Sequence, residues 1–146
     1  MAVEAYMQGM SRASSVATVQ APHGPMRYEI VAEPQFVRAT LFNRRTAAET
    51  REFLTALAAE CIRLQRFNVL VSVRASKPIF TLERYGFSAF IQLALKHSAK
   101  VAALTDNAEQ RVAHEYAVML ARLRGVNVRT FRDEAAAIAW LENGKR

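Results

Sequence analysis

Short apolar runs alternate with longer segments of helical periodicity along most of this chain. The runs at residues 69–73, 101–105 and 126–131 are short enough for strands, and the first is a nearly continuous apolar run with β-branched valine at every second position. Such runs are typical of strands covered on both faces. Because strands that alternate with helices assemble into parallel sheets through right-handed crossovers, the sequence predicts an α/β fold.

Two further β-rich runs precede the first helical segment. MRYEIVA and QFVRATLF are separated by Glu33 and Pro34, which suits a hairpin. The predicted fold is therefore a single α/β domain over residues 26–142, with a mixed, mostly parallel sheet, an amino-terminal β-hairpin and about four helices. Residues 1–25 have weak periodicity and are interpreted as a flexible leader, and residues 143–146 as a tail.

The helical segments carry signals for their ends. Thr46 and Glu49 form a capping-box pattern, Asp106 and Asp133 stand where N-caps are expected, and Gly125 suits a helix stop. Apolar residues at helical spacing also predict which face of the third helix packs on the core. That predicted core face consists of Val112, Tyr116, Met119, Leu120 and Leu123.

Composition narrows the classes of protein that remain. No apolar run approaches the about 20 residues of a membrane-spanning helix, and the amino terminus lacks a secretory pattern. The single cysteine, Cys61, cannot form an internal disulfide, so we expect a cytoplasmic protein. The formal net charge is +7, but the arginines are scattered among glutamates, so a nucleic-acid interface is not favoured. Weak binding of RNA or another polyanion stays an alternative.

The carboxyl-terminal third resembles a known family. The stretch from Lys100 to Leu141 contains a strand, a long helix and the closing pattern Phe131-Arg132-Asp133 followed by Ala139-Trp140-Leu141. It is similar to the SpoIIAA-like branch of the STAS-domain proteins, and the order of elements extends the resemblance back to Met26. The resemblance implies a non-enzymatic regulatory or protein-interaction module, with a protein partner or self-association.

The resemblance also directs attention to the loop after residues 69–73. STAS domains that antagonise anti-sigma factors carry a phosphorylated serine there, in a D-S-[ST]-G-like loop. The matching residues here are Arg74-Ala75-Ser76-Lys77-Pro78, which lack both the preceding aspartate and the following glycine. Ser76 is therefore interpreted as a capping or turn residue.

A polar binding site, if the fold has one, is expected outside the carboxyl ends of the strands. The candidates for binding a ligand there are Arg74, Ser76, Lys77, Asp106, Asn107 and Arg132. The helix that begins near Ala108 could present free backbone N–H groups to an anion, and Arg74 or Lys77 could add positive charge. The alternative is that these are solvated loop residues, with Asp106 as a cap.

An apolar pocket is the second candidate, because SpoIIAA-like folds resemble the CRAL-TRIO architecture, which encloses a lipid. The residues that would line it are Phe80, Leu82, Phe87, Phe90 and Ile91. Aromatic residues at helical spacing fill cores equally well, so a carrier of a small apolar ligand is an alternative to the interaction module.

The sequence contains no recognisable motif of catalysis or metal binding. His23, His97 and His114 lack partners at metal-ligand spacing, and no phosphate-binding glycine loop or nucleophile elbow occurs. The sequence therefore predicts neither an enzyme nor a cofactor.

Overall fold

The computed structural model describes residues 17–20, 26–76, 87–106 and 108–143. Its strands are β1 (Ala17–Gln20), β2 (Arg27–Ala32), β3 (Val37–Phe42), β4 (Val69–Arg74), β5 (Lys100–Thr105) and β6 (Asn127–Phe131). Its helices are α1 (Ala47–Leu64), α2 (Phe87–Lys96), α3 (Ala108–Leu123) and α4 (Glu134–Glu142). No helix in these ranges is both long and apolar enough to cross a membrane.

The described strands form one six-stranded sheet in which spatial order follows chain order. β1 and β2 pair antiparallel, as do β2 and β3, whereas β3, β4, β5 and β6 are parallel. Val37 pairs with Val69, and Val69 pairs with Val101, so apolar side chains of neighbouring strands share a face. The predicted hairpin and the mixed, mostly parallel sheet are confirmed.

The two faces of the sheet are covered unequally. The helices α1, α2 and α3 contribute Leu57, Ile91 and Ala121, among others, to a large apolar cluster on one face. The closing helix α4 packs Ala137 and Leu141 on the other face. This arrangement buries the central strands β4 and β5 on both faces, which explains their nearly continuous apolar sequence.

Two charged side chains hold α4 in place. Lys100, on β5, is buried and donates from Nζ to the carbonyl oxygens of Trp140 (2.9 Å) and Asn143 (2.6 Å). A cation at this end of a helix satisfies exposed carbonyl groups and complements the helix dipole. Near the other end of α4, Arg38 on β3 donates to the carboxylate of Glu134.

The N-caps predicted at Thr46 and Asp133 are confirmed, whereas the cap predicted at Asp106 stays a prediction. Thr46 caps α1 through a complete capping box with Glu49, and Asp133 caps α4 by accepting from the N–H of Ala136 at 2.8 Å. After α3, Gly125 has a φ of +99°, a left-handed conformation that suits glycine at a helix end.

Part of the segment predicted to be a flexible leader, residues 1–25, lies within the described ranges. Ala17–Gln20 form β1 and pair with β2, which the weak periodicity of this stretch did not indicate. The other leader residues, and residues 144–146 of the predicted tail, lie outside the described ranges. For these residues the flexible leader and the tail stay predictions.

Candidate functional site

Hydrogen bonds connect the carboxyl ends of β3, β4 and β5. The N–H of Asn43 donates to the carbonyl of Arg74 at 3.0 Å, and the N–H of Arg44 donates to Ser76 Oγ at 2.9 Å. The carboxylate of Asp106 accepts from the N–H of Ala75 at 2.9 Å. The loops that follow three neighbouring strands are therefore fixed to one another by their own polar groups.

Ser76 is a structural part of this connection. It is buried, with 9% of its surface exposed, and its hydroxyl donates to the Arg74 carbonyl while accepting from the Arg44 N–H. Both hydrogen-bonding roles of the hydroxyl serve the backbone, as in a serine that stabilises a turn.

The remaining predicted polar residues are not gathered into one site. Arg74 and Arg132 are exposed, and Arg132 borders a cleft of about 220 Å³ between α3 and the ends of β5 and β6. Glu115 and Thr130 line the same cleft. Lys77 and Asn107 lie outside the described residues, so their predicted roles stay predictions.

A buried polar cluster that the sequence analysis did not predict lies beside the strand ends. Arg44 is only 3% exposed, and its guanidinium donates to Thr50 Oγ1 (3.3 Å) and to Gln110 Oε1 (3.2 Å). Burial lowers the pKa of Arg44 to about 10, against the opposing effect of the Glu49 carboxylate. The cluster connects the start of α1 to the start of α3.

An apolar cavity of about 100 Å³ lies between the sheet and helices α1, α2 and α3. Phe90 and Ile91, two of the predicted pocket residues, line this cavity. Arg44 and Thr50 of the polar cluster line it as well, and so does His114. Phe80, Leu82 and the side chain of Phe87 lie outside the described part of the chain. The structure thus places a small cavity near the predicted helix, and the full predicted lining stays a prediction.

His114 lies between this cavity and the cleft of about 220 Å³ that Arg132 borders, because it lines both. Its Nδ1 atom is buried, and no hydrogen-bond partner for it occurs within the described residues. Burial, and secondly the charge of Arg44, lower the pKa of His114 to about 4. The imidazole is therefore neutral at physiological pH.

The chemical groups of a nucleophilic or metal site are not assembled in the described part of the chain. The thiol of Cys61 is buried in the core, and burial raises its pKa to about 12, so no thiolate forms near neutral pH. Among the described residues, no three side chains of the types His, Cys, Asp and Glu lie close enough to hold a metal ion.

Several arginines form ion pairs with glutamates of the same strand or helix. Arg27 pairs with Glu29 at 3.3 Å on β2, and Arg63 pairs with Glu60 at 2.8 Å on α1. Arginines engaged in this way are less available to phosphates. These contacts give no support to polyanion binding.

Helix α3 faces the sheet mainly with alanines. Ala113 and Ala121 are buried on this side together with Gln110 and Val118, and Ala117 packs partly against the same core. The exposed fractions of Val112 (61%), Met119 (47%) and Leu123 (76%) put three large apolar side chains in solvent. We call the row of Val112, Tyr116, Met119 and Leu123, in which Tyr116 is partly buried, the outer face of α3.

The predicted core face of this helix is therefore wrong for three residues. Val112, Met119 and Leu123 point away from the sheet, and only Leu120 of the predicted set packs partly against the core cluster. Two apolar rows at helical spacing occur in α3, one of alanines and one of large residues. The alanine row lies inward because it allows the helix to approach the sheet closely.

Charged residues and a shallow cleft accompany the outer face. Glu115 and Arg122 are exposed, and with Val118, Met119 and Leu123 they line a cleft of about 320 Å³. Thr130 on β6 donates to Glu115 Oε2 at 3.4 Å, which holds that carboxylate at the border of the outer face.

Comparison with known proteins identifies the family. A family model described as SpoIIAA-like matches residues 36–142, well over half of the chain. The matched range begins in the turn before β3 and ends with α4. No curated protein and no solved structure matches in the corresponding comparisons. The resemblance stated from the sequence is confirmed.

The role assigned to Ser76 predicts a cost in stability. The Ser76→Ala variant leaves the buried N–H of Arg44 without its acceptor, so we expect the free energy of unfolding to fall by about 1–3 kcal/mol. Urea denaturation measures this loss. Thr55→Ala, at an exposed position of α1, serves as the control and should change stability by less than about 0.5 kcal/mol. Equal stability of Ser76→Ala and the wild type would contradict the structural role.

The lowered pKa of His114 predicts a stability that depends on pH. Between the folded-state value of about 4 and the usual value of about 6.5, the unfolded chain binds a proton that the folded chain does not. The stabilising contribution is complete above pH 6.5 and is lost as the pH falls, by about 1–3 kcal/mol at pH 4. Urea denaturation at several pH values should show this slope in the wild type and a smaller one in His114→Phe. Identical slopes would show that His114 does not titrate abnormally.

Proposed function

The chain belongs to the SpoIIAA-like family, and on this premise we propose that it is a STAS-type regulatory module that binds a protein through the outer face of α3. The observation that carries this proposal is the exposure of Val112, Met119 and Leu123 in one row. A contiguous apolar row is costly to leave in water, and such surfaces mark interaction sites. Each large apolar side chain that a partner covers contributes up to about 1.5–3 kcal/mol.

The state of the strand ends supports a module without catalytic chemistry. Ser76, Asp106 and the backbone around Ala75 are joined to one another rather than directed at a common reactive point. In the proposed function these groups keep the loops in place. Phosphorylation of Ser76 has no part in it, because the hydroxyl is buried and bonded to the backbone.

The proposed setting is the cytoplasm. The one cysteine of the chain is a buried thiol with a raised pKa, which is compatible with a reducing compartment.

A carrier of a small apolar molecule is the second candidate function. The supporting observation is the cavity of about 100 Å³ with its predominantly apolar lining. Pockets for drug-sized ligands measure about 300–1,000 Å³. A ligand of this cavity would therefore contain only a few non-hydrogen atoms.

Photo-crosslinking in living cells tests the interaction module. A benzophenone amino acid replaces Met119 on the outer face, and in a matched control it replaces Ala139, an exposed residue of α4 on the opposite side of the sheet. We expect discrete, light-dependent adducts from position 119 and none from position 139, because the apolar row is the contact surface. Denaturing gels and mass spectrometry identify the adducts.

The outcome that contradicts the interaction module is equally definite. Position 119 would then give no adduct to another chain, or the same adducts as position 139. A crosslink from position 119 to residues 1–25 of its own chain would also contradict it, since the outer face would be covered internally.

Native mass spectrometry tests the carrier. If the cavity holds a ligand, the protein purified from cells should show a small, discrete added mass that organic solvent removes. The control is Ala117→Leu, which places a larger side chain in the cavity lining and should abolish the added mass. A wild-type mass equal to that of the bare chain would reject this candidate.

A further inference from the structure

The spacing of the outer face is that of a short coiled-coil seam. Val112, Tyr116, Met119 and Leu123 follow one another at intervals of four, three and four residues, which correspond to heptad positions d, a, d and a. The exposed fractions of Val112, Met119 and Leu123 place this seam on the solvent side of α3, and Tyr116 is partly buried. A helix with such a seam is suited to pack against another helix, whose knobs enter the spaces between its own side chains.

We propose that the outer face binds a second copy of this chain, with the two α3 helices antiparallel about a two-fold axis. This inference rests on the proposed function and names the partner. In the antiparallel register, Val112 of one copy lies opposite Leu123 of the other, and Tyr116 lies opposite Met119. Both pairs are centred between residues 117 and 118, so one register aligns the whole seam, as a two-fold contact between identical surfaces requires.

The charges beside the seam fit the same register. Glu115 and Arg122 are one heptad apart, so they lie on the same border of the outer face, and both are exposed. Their midpoint lies between residues 118 and 119, within one residue of the centre of the apolar pairs. Glu115 of each copy therefore meets Arg122 of the other, which gives two opposite-charge pairs by symmetry.

The parallel arrangement lacks this complementarity. In a parallel pair, the position that Glu115 approaches on the other helix is that of Leu120, which is apolar and partly packed against its own core. The antiparallel register is thus selected by charge as well as by apolar contact.

Local geometry supports the fit. The cleft of about 320 Å³ between Glu115, Met119, Arg122 and Leu123 offers a space for a side chain of the second copy. The hydrogen bond from Thr130 keeps the Glu115 carboxylate at the border where the opposite arginine arrives.

The size of the seam implies a weak dimer. Stable complexes bury about 800 Å² on each partner, and a single four-turn helix offers less. The net charge of +7 on each copy also opposes association at low salt. We expect a dissociation constant in the range of about 1–100 μM at physiological ionic strength.

Sedimentation of the purified full-length chain tests this proposal by charge exchange. The wild type should pass from monomer to dimer with rising concentration. Glu115→Arg and Arg122→Glu should each weaken the dimer about tenfold, because each creates two like-charge pairs. The double variant Glu115→Arg/Arg122→Glu should return the dissociation constant to within about threefold of the wild type.

Two further variants serve as controls. Leu123→Glu, which places charge in the seam, should abolish the dimer, whereas Glu142→Arg, at an exposed site on α4, should leave it unchanged. Because all the changed residues are exposed, we expect each variant to fold. Circular dichroism and the midpoint of urea denaturation check this.

Disulfide trapping tests the direction of the helices. Mixed chains carrying Val112→Cys and Leu123→Cys should form a disulfide between the two variants, and neither variant should link to itself. Links of each variant to itself, which parallel helices would give, overturn the proposal.

The other outcomes separate this inference from the proposed function. A chain that stays monomeric throughout overturns the dimer, and so does a dimer that is insensitive to Leu123→Glu. If a different protein is then crosslinked from position 119 in cells, the interaction module stands while the self-association fails. If position 119 gives no adduct to any chain, both fail.

Discussion

The close approach of α3 to the sheet is the contact on which the proposed functions depend. Small inward residues, among them Ala113, Ala117 and Ala121, let the helix lie directly over the end of the sheet. Because these positions hold alanines, the large apolar residues Val112, Met119 and Leu123 remain on the opposite side. The packing that completes the core therefore also creates an apolar surface in solvent, and it leaves a small cavity beside the helix.

The architecture could be predicted because its determinants are local. The β-branched run of β4 needs no distant partner to indicate a strand, and Thr46 and Asp133 mark helix starts through contacts within one turn. Periodicity alone could not orient α3, since its rows of alanines and of large residues repeat at the same interval. The greater hydrophobicity of the large residues predicted that they would face the sheet. In the structure the alanines face it, because the helix and the sheet lie close together.

The buried polar groups illustrate the other limit of sequence reasoning. Arg44 and Gln110 are hydrogen-bonded across a separation of 66 residues, and nothing local marks either as a core residue. Gln110 does fall on the row of Ala113, Ala117 and Ala121. Its position on that helical face was the one sequence feature that could have indicated its burial. Ser76 was interpreted correctly as a turn residue from the absence of flanking aspartate and glycine, while its bond to the Arg44 N–H required the fold.

One helix thus forms the wall between an inner cavity and an outer interaction surface. Val118 lines both the cavity and the cleft of about 320 Å³ on the outer face, so a single layer of side chains separates the two spaces. A molecule larger than about 100 Å³ could enter the cavity only by displacing this wall.

Displacement of α3 would move the outer face relative to Thr130 on β6, which donates a hydrogen bond to Glu115. By thermodynamic linkage, such a ligand would change the affinity of the outer face for its partner, and the partner would change the affinity for the ligand by the same factor. Under the two proposed functions, the ligand and the partner would both act on the position of α3, so binding of one would be linked to binding of the other.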